Sequence, residues 1–143
     1  MNHILKQNFS DPYAVTGEPK GTYLQGYGVV VSFQLNINRA TLRTPFGEMD
    51  IPRAERERSK DEQIRMVKES MIQCLAEYGS ALKQLAGHDR ITISAHVEDR
   101  NELDPAKKTS VLVFTAGKDD IDLYTMKRLS FDKFKERVHA LQY

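Results

Sequence analysis

The stretch Tyr27-Gly28-Val29-Val30-Val31-Ser32-Phe33-Gln34-Leu35-Asn36-Ile37 decides the fold class of this chain. Tyr27, Val29, Val31, Phe33, Leu35 and Ile37 alternate with Gly28, Val30, Ser32, Gln34 and Asn36. Successive side chains on a strand point to opposite faces, so a period of two predicts a strand with one face buried. The alternation outruns the usual strand of about 5–6 residues. It therefore predicts an element that bends at Gly26 or Gly28, or that projects past its neighbours and offers its edge for pairing.

A half-buried sheet needs a cover, and the residues downstream supply one. Ser59 and Glu62 have the Ser-x-x-Glu spacing of a capping box, which predicts a helix start. Behind it Ile64, Val67, Met71, Cys74, Leu75, Tyr78, Leu82 and Leu85 recur three or four apart, one apolar stripe on a helical period. With Gly87 as terminator the helix would run about 27 residues and roughly 40 Å, with Gly79 and Ser80 marking a bend. Residues 39–58 contain Pro45, Gly47 and Pro52 and keep no apolar period, which predicts a surface loop pinned by Phe46 and Ile51.

Further on, Ile91, Ile93, Ala95 and Val97 alternate with polar residues as a second strand. The run Val111-Leu112-Val113-Phe114 reads as a third, central strand, and Ile121 to Leu129 as a fourth. Ser130 is placed to cap a last helix whose inner stripe is Phe134, Val138 and Leu141, with Leu129 stapled on Phe134. The expected fold is α+β: a four-stranded antiparallel or mixed sheet with a long helix and a C-terminal helix packed on one face, in the order β-α-β-β-β-α. Residues 1–20, with Pro12, Gly17 and Pro19, are expected to form an extended arm or linker stub, leaving 21–143 as a single domain. The connection rules leave open whether the first strand lies beside the second or at the far edge.

Composition bounds the function classes. With 143 residues, 40% of them hydrophobic and 29% charged, the chain is sized for one globular core. Its net charge of +1, from 21 basic and 20 acidic residues, creates no overall field toward nucleic acid or anionic lipid. No apolar run approaches the roughly 20 residues of a membrane span, and residues 1–9 lack the apolar stretch of a signal peptide, so a soluble chain is expected. Cys74 is the only cysteine, which rules out an intrachain disulfide and a cysteine-built zinc site. No cofactor or metal is expected.

Each chemically suggestive pattern has a structural explanation beside it. Gly26 and Gly28 form Gly-x-Gly, but a strand rather than a helix follows, so a strand bend or close backbone approach explains the pair better than phosphate binding. His96 and Glu98 share one face of the second strand, where they are candidates for a general base or ligand contact and equally for a solvated polar face. Cys74 sits on the helical apolar stripe, where a thiol acts as a small core residue. Arg39, Arg43, Arg53, Arg56 and Arg58 are the one local basic excess, but Glu48, Asp50, Glu55 and Glu57 interleave with them and cancel much of it. Tyr13, Tyr23, Tyr27 and Phe9 cluster in or before the first strand, a common composition for a protein contact surface.

The segment Tyr23-Leu24-Gln25-Gly26-Tyr27-Gly28-Val29 resembles the Tyr-Leu-x-Gly-Tyr-Gly-Val segment of uncharacterised bacterial exported proteins. That resemblance covers seven of the 143 residues. It implies a periplasmic or cell-envelope setting and carries over no catalytic residue.

No catalytic residue is assigned. The leading expectation is a non-catalytic protein-interaction or assembly module that works through Tyr23, Tyr27 and the first strand, with self-association as its sharpest form. The alternative is a small-ligand-binding domain or enzyme, with a pocket between sheet and helix near His96 and Glu98 and with Arg53 or Arg56 contributing. Nucleic-acid binding by the arginine cluster ranks third.

Overall fold

The alternating stretch forms strand β2 (Gly28–Asn36), in the interior of a five-stranded sheet. The structure is a computed structural model that describes residues 14–36, 41–44, 47–50, 53–99 and 108–143. Strand β1 (Ala14–Leu24) pairs antiparallel with one side of β2, and β5 (Arg90–Asp99) runs parallel along the other. β6 (Lys108–Gly117) follows antiparallel to β5, and β7 (His139–Gln142) antiparallel to β6. The sheet order is β1-β2-β5-β6-β7. A separate hairpin joins β3 (Thr41–Thr44) to β4 (Gly47–Asp50).

The α+β class stands, and the sheet is mixed, with five strands rather than four. Both sides of β2 are occupied, so the expected projection of that strand past its neighbours is corrected. Residues 14–20 of the expected arm belong to β1, which takes the sheet edge instead. The expected loop over residues 39–58 contains the β3–β4 hairpin and the first turn of the long helix.

Helix α1 spans Arg53–Tyr78, so Ser59 lies inside it and does not cap it. The start follows Pro52 in sequence, and proline is favoured where a helix begins. The run Ala54-Glu55-Arg56-Glu57-Arg58 consists of strong helix formers with no large apolar residue, which hides it from a reading based on apolar period. The helix ends well before Gly87. Beyond Tyr78 the chain tightens into a short 3-10 turn, Gly79–Ala81, where a Cβ on residue 79 would lie 2.7 Å from Ile121 Cδ1. A Cβ there would have to displace the buried Ile121 side chain, so the tight approach of the turn favours glycine.

The expected fourth strand is instead helix α2 (Lys118–Thr125) and a turn. Asp119 and Asp120 occupy its first turn, where carboxylates complement the helix dipole, and Ile121 is fully buried beneath it. Helix α3 (Phe131–Arg137) begins as expected, with the Ser130 side chain accepting a bond from the Lys133 amide at 3.4 Å. It is shorter than its apolar stripe implies. Val138 turns extended, and Leu141 sits on β7, 40% exposed, because residues after 138 pair with β6 instead of continuing the helix.

One face of the sheet carries the core. Phe33 and Leu35 of β2, Ile91, Ile93, Ala95 and Val97 of β5, and Leu112, Phe114 and Ala116 of β6 are buried with Met71 and Leu75 of α1, Ile121 of α2 and Phe134 of α3. Because each strand contributes alternate residues, the helices all pack on that face. Lys68 of α1 also donates to Gln142 Oε1 of β7 at 2.7 Å, tying the long helix to the last strand.

Candidate functional site

The first candidate surface is the outer edge of β1. This strand is 11 residues long and ends the sheet, with no further strand beside it among the described residues. Its register on β2 shifts between Thr16 and Lys20 and then runs regularly from Lys20 to Leu24. Such a shift bends a strand, and Pro19 and Lys20 beside it are residues that discourage edge pairing, so the regular segment 21–24 is the most available part. Tyr23 and Leu24 there are 60% and 46% exposed.

The two glycines downstream shape this edge. The Tyr27 amide donates to the Leu24 carbonyl at 3.1 Å, and Gly26 at the third turn position has φ +77°, as a type II turn requires. Gly28 has φ +133°, and a Cβ there would collide with the Arg90 backbone, so β2 and β5 meet at a point only glycine allows. The pair serves as a turn and a close approach, as the sequence implied.

The structure separates Tyr23 from Tyr27. Tyr23 pairs with Val29, on the helix-bearing side of the sheet, and is exposed at the margin. Tyr27 is half-buried, and its hydroxyl lies 2.7 Å from Thr92 Oγ1, which lies 2.8 Å from Thr115 Oγ1. These three hydroxyls form a chain on the opposite face of the sheet, so Tyr27 is an anchor of the turn more than a contact residue.

His96 and Glu98 are half-buried on that same outer face, His96 between Gln34 and Val111 and Glu98 between Asn36 and Thr109 in the strand register. Arg53 and Arg56 lie in the first turns of α1. Their side chains, and the structure around Arg39, lie outside the described residues.

A cavity of about 230 Å³ does lie between sheet and helix, on the face opposite His96 and Glu98, and neither residue lines it. Its inner wall is Val31 and Phe33 of β2, Ile91 and Ile93 of β5, and Cys74 and Leu75 of α1, all buried. Tyr78, Ala81 and Leu82 form the more exposed rim, carried there by the 3-10 turn. Burial, with Glu77 nearby, pushes the Cys74 thiol up to about 11, so the thiol is protonated and uncharged at neutral pH. The sequence reading places Cys74 in the core and a pocket between sheet and helix, but it assigns that pocket to His96 and Glu98, which the structure puts on the other face, and not to these apolar walls.

The buried polar groups near α2 are satisfied structurally. Asp89 accepts from the Ala86 amide at 2.9 Å, the Asp89 carbonyl accepts from the Lys118 amide at 2.9 Å, and Lys118 is ion-paired with Asp122. Arg137 reaches Asp120 at 2.6 Å, fastening α3 to α2. Among the described residues no three His, Cys, Asp or Glu side chains are arranged to hold a metal ion, and no helix is long and apolar enough to cross a membrane.

Compared with known proteins, the chain matches no family model, no curated protein and no solved structure.

Proposed function

We propose that this domain is a non-catalytic interaction or assembly module that pairs a second strand, from another copy or from a partner protein, along the outer edge of β1. The observation that carries the reading is the long edge strand with Tyr23 and Leu24 exposed on its regular half. Main-chain bonding along such an edge supplies affinity, and large side chains flanking it supply selectivity. Leu24, exposed on β1 itself, adds apolar surface that a partner at this edge would cover. A bacterial envelope setting, implied by the resemblance of residues 23–29, is part of the proposal.

Native mass spectrometry of the full chain tests self-association, and pull-down with Tyr23→Glu tests partner capture. Proline substitutions at Thr22 and Tyr23 sharpen the test. Amides alternate sides along a strand, so one variant removes a bond to β2 and the other removes only an outward donor. The variant that keeps native stability should lose association. A strictly monomeric chain whose partner binding survives that variant and Tyr23→Glu would overturn the proposal.

A further inference from the structure

We propose that the cavity between the end of α1 and the β2–β5 pair is a binding site for one small, uncharged, mostly hydrocarbon molecule, about the size of an aromatic ring bearing a short alkyl chain. This site is distinct from the β1 edge and does not depend on its role.

The size follows from the volume. Protein interiors hold few voids larger than a water molecule, yet this one measures about 230 Å³. An apolar cavity of roughly 150 Å³ lined by Leu, Ile and Phe stays dry and takes up benzene, so the space here accommodates a ring and a few further carbons. It falls below the roughly 300–1,000 Å³ of pockets for larger organic ligands.

The chemistry follows from the walls. Val31, Phe33, Leu75, Leu82, Ile91 and Ile93 offer only hydrocarbon, and no charged side chain lines the space. The polar side-chain groups in the lining are the Cys74 thiol, which stays protonated, and the Tyr78 hydroxyl. An ion would lose its hydration here without a counter-charge, whereas an apolar guest loses only unfavourable contact with water. The access route is also part of the fold. The helix stops at Tyr78, and the 3-10 turn that follows leaves Ala81 and Leu82 at the mouth. A helix continued to Gly87 would carry those residues onto another path.

The test is a titration of the full chain with 4-fluoropropylbenzene followed by 19F NMR, with 4-fluorobenzoate as the charged control. The expected result is saturable one-to-one binding of the neutral probe with a Kd below 1 mM, on the order of the affinity a small apolar ligand can reach. The control should bind at least tenfold more weakly. Saturating probe should also slow alkylation of Cys74 by N-ethylmaleimide at least fivefold, roughly the fraction of sites a bound guest would shield. Cys74→Met fills the space from the helix and Ile93→Phe fills it from the sheet; either, if folded by circular dichroism, should weaken binding about tenfold or more. A non-saturating response, equal binding of the control, unchanged Cys74 alkylation, or unchanged affinity in a folded filled variant would overturn the proposal. If neither variant folds, the alkylation of the unmodified chain decides.

Discussion

At Gly28 the backbone has φ +133° and no room for a Cβ beside Arg90, so two penalties coincide at one position. Gly28→Ala is expected to cost about 2 kcal/mol or more, measured by urea denaturation, because strained backbone and a backbone collision cannot both relax. Gly79→Ala meets a side chain rather than backbone, Ile121 Cδ1 at 2.7 Å, and is expected to cost about 1–3 kcal/mol as an overpacking change. Cys74 makes stability depend on pH in one direction. Its folded pKa of about 11 lies above the ordinary value of 9.0, so the unfolded chain gives up this proton first as pH rises. The contribution is fully present below pH 9 and is lost between about pH 9 and 11, on the order of 2 kcal/mol, and Cys74→Ala should flatten that part of the stability profile. These residue-scale features were unevenly legible. Gly26 and Gly28 were readable as a bend or close approach because glycine beside a strand has few other uses, whereas the special role of Gly79 depends on Ile121, which is distant in sequence.

Among the elements, α3 shows how little of a short helix's stability is local. It has seven residues, too few to persist alone, and its one buried residue, Phe134, is fully enclosed in the core. Phe134→Ala is expected to cost about 3–5 kcal/mol, and Ser130→Ala, which removes a 3.4 Å cap, only about 0.5–1 kcal/mol, both by chemical denaturation. The element boundaries explain the misread segments. Residues 121–129 carry Ile121, Leu123, Tyr124 and Leu129 at spacings that fit a strand or a helix nearly equally well. The structure has the helix, with Asp119 and Asp120 in its first turn, where carboxylates favour it, and Ile121 buried in the core. In β7, the sequence His139-Ala140-Leu141-Gln142 has no strong strand signal of its own, and pairing with β6 imposes the extended form.

For the whole molecule, the sheet order predicts a gradient of local stability. β2, β5 and β6 have a strand on both sides, while β1 and β7 have one each. Amide hydrogen exchange should therefore be slowest in β5 and the inner half of β6 and fastest at the outer-facing amides of β1 between residues 21 and 24; comparable protection there in a dilute monomer would argue against an available edge. The sequence by itself determined the α+β class, the half-buried character of β2 and β5, and the place of Cys74 in the core. Each rests on a local period or on composition, which survives without knowledge of neighbours. Only the tertiary structure decided which strand occupies the edge, because that depends on β2 pairing in parallel with β5 across the whole of α1. The same holds for the candidate sites. Tyr23 and Tyr27 are close in sequence yet diverge to opposite faces, His96 and Glu98 fall on the far side of the sheet from the cavity, and the cavity itself joins β2, α1 and β5. A period fixes which residues share a face of one element, but which faces meet is settled by long-range pairing and packing.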